Sequence, residues 1–209
     1  MKISTFLIFF FTHQALMPFT IMIDPSGDAK HTGRVIQDTF ERGITLQCAE
    51  QLKKEINQHL PNVRVVLTRV PGETIQPLQH ASFANRLQAD LYLSICFYPE
   101  PELPSHVAIF HYLSNPTDLW HEFAPLSFYH ITQAHLINIK KTANIGNTLL
   151  KHLQTSSSFI TRGLFAVPFK PLLGIKAPAL AIEAGLCKKE DWKHLISPIL
   201  TALQEAIHA

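Results

Sequence analysis

The chain has 209 residues, of which 46% are hydrophobic and 16% are charged, and its formal net charge is +2. This composition excludes a disordered chain and is sufficient for one domain with a sizeable core. The weak net charge, with basic residues scattered singly and in pairs, gives no reason to expect a nucleic-acid partner. Three widely spaced cysteines argue against a disulfide framework.

The first residues have the pattern of a secretory leader. Lys2 precedes an apolar run at residues 6–11, which is too short to cross a bilayer. Ala15 is a candidate for the last residue before cleavage, although His13 stands where a small residue is preferred. We predict that residues 1–19 are a signal peptide; the alternative is an apolar leader that packs on the domain. A signal peptide implies export to the periplasm or cell envelope, with no other membrane anchor.

Strands and helices alternate along the next part of the chain. A short buried strand at residues 21–23 leads into a turn that contains Gly27. An amphipathic helix that ends near His59 is predicted by apolar residues at every fourth position, namely Ile44, Cys48, Leu52 and Ile56. A second strand at residues 63–68, rich in β-branched side chains, precedes a helix at residues 77–89.

The second half repeats this alternation. The predicted strands are residues 91–96, 107–113 and 178–183. The predicted helices are residues 132–154 and two C-terminal pieces divided at Ser197-Pro198, which fits an N-cap followed by proline at the first helical position. Irregular structure is predicted for residues 98–104, 115–125, 155–158 and 165–173.

This order of elements predicts an α/β fold. Residues 20–209 are expected to form a single domain, with a largely parallel twisted sheet covered by helices on both faces. The chemistry of such sheets lies beyond the carboxyl ends of the strands. Three predicted strands end there on groups that can bind or react, namely Asp24, Cys96 and Glu183.

Five blocks of sequence, in a fixed order, carry a resemblance to a known family. They are Ile23-Asp24-Pro25 with a glycine-bearing loop, Glu41 before a helix, Val66-Leu67-Thr68-Arg69, the run from Phe83-Ala84-Asn85 to Ser94-Ile95, and Arg162-Gly163 with the segment from Pro178 to Gly185. Together they resemble the zinc-dependent N-acetylmuramoyl-L-alanine amidases of the cell wall. The resemblance covers about residues 20–208.

The resemblance implies hydrolysis of the amide bond between N-acetylmuramic acid and L-alanine in peptidoglycan. A catalytic zinc has three protein ligands and an open position for water, and a carboxylate takes the proton of that water. By the family pattern Glu183 is the catalytic base and Glu41 is one zinc ligand. The other two ligand positions, which are histidines in the family, hold Gly27 and Cys96. His80 falls where the family usually has arginine.

Two interpretations of the altered zinc position stay open. Gly27 has no side chain to offer, whereas a Cys96 thiolate is a good zinc ligand. His31 or Asp28 is a candidate replacement, which gives a rebuilt set with Glu41 and Cys96. In the other interpretation His31 is a surface residue and Cys96 is a small apolar side chain. The remaining central histidines have no metal spacing and are expected to be ordinary surface or core residues: His106, His111, His130 and His135.

Three functions follow from these interpretations. The first is an exported murein amidase with a rearranged zinc site. The second is an inactive relative that binds peptidoglycan or a protein partner in the same groove. The third is a hydrolase that uses Cys96 as its nucleophile, although no base can be assigned to it from the sequence. A protein regulator is a further candidate partner, and residues 115–131 are the only long insertion for such a role.

Overall fold

The computed structural model describes residues 18–76, 78–102, 104–115, 130–156 and 158–208. Within these ranges the strands are β1 (Phe19–Pro25), β2 (Val35–Ile36), β3 (Thr39–Phe40), β4 (Val63–Leu67), β5 (Leu91–Pro99), β6 (Ser105–Tyr112), β7 (Phe159–Val167) and β8 (Ala179–Leu186). The α-helices are α1 (Glu41–His59), α2 (Gln79–Leu87), α3 (Ile139–Gln154) and α4 (Lys193–His208). None of these helices is long and apolar enough to cross a membrane.

Six of the strands form one sheet in the order β4-β1-β5-β8-β6-β7. β1 is parallel to β4 and β5, and β5 is parallel to β8. β6 runs antiparallel to β8 and parallel to β7. The predicted α/β class and largely parallel sheet are therefore confirmed, with one antiparallel junction that the prediction did not contain. β2 and β3 pair separately as a short antiparallel ribbon.

Both faces of the sheet are covered, as predicted. The larger core lies under α1, α3 and α4 and is built from residues such as Ile23, Leu52 and Leu195. The smaller core lies under α2 and a 3-10 helix, Lys170–Leu172, and includes Met22. The central strands β1, β5 and β8 are buried almost throughout, which is typical of parallel strands covered on both sides.

Strand β7 is the main correction to the predicted elements. The sequence suggested an irregular segment at residues 165–173 and no element at residues 159–164, whereas a strand runs from Phe159 to Val167 and only its first residue is buried. It is an edge strand, so it lacks the regular burial that marks inner strands. Its register against β6 shifts between Val107 and Ala108, which leaves Arg162 as the extra residue of a β-bulge.

Two helix predictions were also wrong in detail. Residues 132–154 do not form one α-helix, because a 3-10 helix, Ile131–Asn138, precedes α3. The His130 side chain accepts a hydrogen bond from the Thr132 N–H at the start of that segment. At the C-terminus there are not two pieces: α4 is continuous and carries Pro198 inside it.

Two predicted segments fall largely outside the described residues. Of the predicted leader, residues 1–19, the structure describes Pro18 and Phe19, and Phe19 begins β1. Of the insertion at residues 115–131, residues 116–129 lie outside the described ranges.

Candidate active site

The candidate site lies at the rim where β1, β5 and β8 end. The register places Cys96 of β5 opposite Glu183 of β8, and Asp24 of β1 opposite Ser94 of β5. Because side chains alternate along a strand, these groups share the face of the sheet that carries the smaller core. The sheet therefore brings together the three strand-end groups that the sequence singled out: Asp24, Cys96 and Glu183.

Glu41, the first residue of α1, is buried beside the end of β5. Its Oε1 accepts a hydrogen bond from the Phe97 N–H at 2.9 Å, and its Oε2 accepts one from the Arg34 N–H at 3.1 Å. A Cβ at Gly33 would lie only 2.6 Å from that Oε2, so the loop approaches the carboxylate closely. Backbone donors on two sides thus fix the orientation of the Glu41 carboxylate.

Arg34 contacts both glutamates of the site, Glu41 through its backbone N–H and Glu183 through its side chain. Its Nη1 donates to Glu183 Oε1 at 2.8 Å and to the Phe97 carbonyl oxygen at 3.1 Å. Burial alone would lower the pKa of Arg34. The hydrogen bond and charge of Glu183, together with the charge of Glu41, outweigh this effect and raise the pKa above its usual value, so the guanidinium stays charged. The sequence reasoning missed Arg34, because a single arginine in a loop has no spacing that marks it.

Cys96 is almost completely buried. Burial first, and then the charges of Glu41 and Asp24, raise the pKa of Cys96 to about 12. Its sulfur lies 3.9 Å from the Ser94 hydroxyl. In the metal-free chain the thiol is therefore protonated at neutral pH, and in that form it is a poor nucleophile.

Gly27 lies in a loop that leaves no room for a side chain at this position. Its φ of 78° is in the left-handed region, and a Cβ there would lie 2.8 Å from the Cβ of Arg42. Arg69 fixes this loop by donating to the carbonyl oxygens of Pro25, Ser26 and Arg42. The histidine of the family pattern does not fit this backbone conformation.

Asp28 and His31 hold the next part of the same loop. The Asp28 carboxylate accepts hydrogen bonds from the N–H groups of Lys30, His31 and Ile75. Burial would raise the pKa of Asp28, but these bonds lower it far more. The His31 side chain is 69% exposed and its Nδ1 lies 3.2 Å from Asp28 Oδ2. Both side chains therefore make contacts that stabilise the loop.

Asp24 connects three strand ends behind the rim. Its Oδ1 accepts from the Thr68 hydroxyl at 2.7 Å, and its Oδ2 accepts from the Ser94 hydroxyl at 3.2 Å. His80 of α2 brings its Nδ1 to 3.1 Å from Oδ1. Burial alone would raise the pKa of Asp24. His80 and Thr68 outweigh this effect, so the pKa lies below its usual value and the buried group is a carboxylate paired with a histidine.

A second polar cluster forms one wall of the rim. Glu100 Oε1 lies 2.5 Å from His106 Nδ1, and Glu100 Oε2 accepts from the His106 N–H at 2.8 Å. Arg162, placed by the β-bulge, brings Nη2 to 2.8 Å from His106 Nε2. Since the guanidinium can only donate, the His106 ring accepts at Nε2 and carries its proton at Nδ1. His106 thus belongs to a polar cluster with Glu100 and Arg162.

Comparison with known proteins assigns the chain to a family. The family described as N-acetylmuramoyl-L-alanine amidase matches residues 21–208. CwlM, an N-acetylmuramoyl-L-alanine amidase of Bacillus licheniformis, is 35% identical over 75 residues, which are 36% of this chain and 30% of CwlM. The matched stretch therefore spans less than a third of that relative.

Solved structures share the fold. The catalytic domain of CwlV, an N-acetylmuramoyl-L-alanine amidase from Bacillus (Paenibacillus) polymyxa var. colistinus, has a TM-score of 0.69 at 17% identity, covering 90% of this chain and 98% of that one. The amidase Ami1 from Mycobacterium smegmatis has a TM-score of 0.68 at 13% identity, covering 91% and 97%. The architecture is thus that of amidase catalytic domains. The chain belongs to the N-acetylmuramoyl-L-alanine amidase family, which confirms the resemblance seen in its sequence.

Members of this family are in general zinc-dependent and act on peptidoglycan at the cell wall. The side chains described above do not fit a zinc ion. No three His, Cys, Asp or Glu residues of the described ranges come together as a metal-binding group. Gly27 offers no side chain, and the exposed His31 side chain is turned toward Asp28. A catalytic zinc needs three protein ligands, and the described residues of this rim do not bring three together.

Proposed function

We propose that this amidase-like chain recognises peptidoglycan at the rim formed by β5 and β8. The observation that carries the proposal is the pair of Arg34 and Glu183, which offers a cation and an anion at the place where family members act. The Arg34 side chain is 49% exposed and that of Glu183 is 21% exposed. A peptide attached to muramic acid has amide and carboxylate groups that such a pair can bind by charge-assisted hydrogen bonds.

Recognition without hydrolysis is the form of this function that the site favours. The relatives reported above are described as amidases, so this part of the proposal rests on the site residues alone. Glu41, Cys96 and His31 do not form a zinc site, and Glu183 is hydrogen-bonded to Arg34. An amide is too stable to be cleaved at neutral pH by an unassisted carboxylate.

Hydrolysis of the muramoyl–alanine amide is the second candidate. The sequence resemblance favours it, since by the family pattern Glu183 stands at the position of the base and Glu41 at that of the acidic ligand. A hydrolysing chain requires metal ligands beyond those assembled among the described residues. The two candidates therefore differ in a measurable product, free stem peptide.

The deciding experiment incubates purified sacculi with the full chain. We expect the protein to sediment with the sacculi and to release no stem peptide. Glu183→Gln should weaken binding about tenfold, because it removes the charge from a hydrogen-bonded pair. Glu205→Gln is the matched control, since Glu205 is exposed on α4 and pairs with Lys151 and His152.

Two results would contradict the proposal. If the wild-type chain does not sediment with sacculi, it does not recognise peptidoglycan at this rim. Release of stem peptides that Glu183→Gln abolishes would replace recognition by hydrolysis as the function.

We also propose that the chain works in the cell envelope after export. The support is the charged and apolar pattern of its first residues together with a family that acts at the cell wall. A chain detected in the envelope fraction with its leader removed is the expected result, and a chain confined to the cytoplasmic fraction is the contrary one. A protein regulator of the groove stays a prediction.

A further inference from the structure

We propose that Arg34 is the resident cation of this site and takes the electrostatic place of a divalent metal. A metal in such a site neutralises the acidic residues around it and presents positive charge to the ligand. Arg34 does both with a charge that is part of the chain. This inference goes beyond peptidoglycan recognition and does not depend on it.

The contacts of Arg34 tie it to both glutamates at once. Its backbone N–H donates to Glu41 Oε2 at 3.1 Å, and its guanidinium donates to Glu183 Oε1 at 2.8 Å. One residue thus bridges the two acidic positions that the family places around its metal. The Phe97 carbonyl oxygen accepts a third hydrogen bond from Arg34, at 3.1 Å, and fixes the guanidinium at the end of β5.

The charge of the site explains why a cation is needed there. Glu41 is buried and Glu183 is largely covered, so bulk water does not fully solvate either carboxylate, and an unpaired negative charge there would be costly. The charges of both glutamates act on the Arg34 guanidinium. An arginine is charged at any physiological pH, so this neutralisation does not depend on metal supply or on proton uptake.

The loop is shaped for an arginine and not for a metal ligand. Gly33 allows the backbone before Arg34 to contact the Glu41 carboxylate, where a Cβ would lie 2.6 Å away. Gly27 has no side chain, and its backbone excludes one. Among the described residues, the hydrogen bonds of the guanidinium all leave from Nη1. The other N–H groups of this half-exposed side chain are thus available to a ligand.

The first test asks whether the purified full chain binds zinc. Zinc is titrated to roughly 100 µM, far above the dissociation constants of built zinc sites, while bound metal and the thermal midpoint are measured. We expect no stoichiometric zinc and no change of the midpoint with zinc or with a chelator. One tightly bound zinc per chain, with a midpoint that rises on binding, would overturn the inference.

The second test removes the cation. Arg34→Ala should lower the thermal midpoint at pH 7 by about 2–6 °C, because Glu183 loses its hydrogen-bond partner and Glu41 loses a nearby positive charge, while the backbone N–H to Glu41 remains. Arg34→Lys should recover part of this loss, since it restores the charge without the planar donor group. Arg64→Ala is the matched control, because Arg64 is exposed on β4 and its removal should shift the midpoint by less than about 1 °C.

An Arg34→Ala chain as stable as the Arg64→Ala chain would contradict the inference. If Arg34→Ala does not fold, the thermal midpoint of Arg34→Lys and the zinc titration of the wild-type chain still test whether Arg34 is the resident cation. Neither measurement uses peptidoglycan, so a chain that binds neither sacculi nor zinc would retain this inference and lose the proposed function.

Discussion

At the scale of single residues, the approach of Gly33 to Glu41 is among the tightest contacts of the site. Gly33 has a φ of 74°, in the left-handed region, and a Cβ on it would lie 2.8 Å from the Cβ of Glu41 as well as close to Oε2. Glycine is required there both by conformation and by space. The orientation of the Glu41 carboxylate depends on this contact.

Gly33→Ala should lower the free energy of unfolding by about 2–4 kcal/mol, because backbone strain adds to the displacement of Glu41. Gly72→Ala is the control, since Gly72 also has a positive φ, of 85°, but no atom lies within 4 Å of the position that an alanine methyl group would take. It should cost about 1–2 kcal/mol from the backbone alone. Urea denaturation measures both, and equal losses would contradict the role of the contact.

The Asp24–His80 pair makes stability depend on pH. Burial alone would lower the pKa of His80, but Asp24 raises it above its usual 6.5. The contribution of His80 is therefore complete below pH 6.5 and is lost as pH rises through its pKa in the folded state. Asp24 has a pKa below its usual 3.8, so its contribution is lost only as pH falls through that lowered value. The pair stabilises the fold most between about pH 4 and 6.5.

His80→Gln should lower the thermal midpoint by about 2–4 °C at pH 5.5, because a charged partner is replaced by a neutral one. The difference from wild type should shrink as pH rises through the pKa of His80 in the folded chain, which lies above 6.5. His59→Gln is the control, since the His59 side chain is 51% exposed on α1. A difference that is constant with pH, or larger at pH 9, would contradict this account.

Sequence reasoning reached the site residues that stand at recognisable places in the family pattern. Glu41, just before a helix, and Glu183, at the end of an apolar run, were selected because they match positions of the family pattern. Arg34 could not be selected in this way, because its role arises from contacts with Phe97 and Glu183, 63 and 149 residues away in sequence. Only the folded loop brings these groups together.

At the scale of elements, α4 contains a proline in its interior, although the sequence predicted Pro198 at the first position of a separate helix. Pro198 lies five residues after the first residue of the helix, Lys193, and the helix continues to His208. Proline inside a helix removes one hydrogen bond and its ring crowds the preceding turn. Packing of Leu195, Ile199 and Leu203 against the larger core compensates for this cost.

Pro198→Ala should therefore stabilise the protein, by about 1–2 kcal/mol after the gain in unfolded-chain entropy is subtracted. Pro171→Ala is the control, because Pro171 stands in the first turn of a 3-10 helix, where no donor is missed. Its removal should be neutral or slightly destabilising. A Pro198→Ala chain less stable than wild type in a thermal melt would show that the proline fixes a necessary bend.

Elements were predictable where burial is regular and were missed where it is not. The inner strands β1, β5 and β8 are buried almost throughout and mostly apolar, so their positions were clear from the sequence. β7 alternates poorly because it lies at the edge and carries a bulge at Arg162. The antiparallel direction of β6 also has no local signal, because direction is set by the neighbour a strand finds.

At the scale of the whole molecule, one sheet joins the two cores. Successive residues of β1 point to opposite faces, so Met22 packs in the smaller core and Ile23 in the larger one. The smaller core cannot lose its packing without loosening strands that the larger core also needs. We therefore expect the described domain to unfold as one cooperative unit.

Leu52→Ala in the larger core and Leu172→Ala in the smaller one should each cost about 2–5 kcal/mol, because both side chains are fully buried. In both variants far-UV and near-UV circular dichroism should report the same unfolding midpoint. An early near-UV transition in Leu172→Ala, with the far-UV signal intact, would show that the face under α2 opens separately.

The backbone at Gly27 also bears on how this site can change over evolutionary time. A histidine placed there by one substitution meets both a left-handed backbone and the Cβ of Arg42, 2.8 Å from its own Cβ position. The loop must first be rebuilt before that histidine can contribute anything. A single substitution of Gly27 by histidine is therefore not expected to restore a metal ligand at this position.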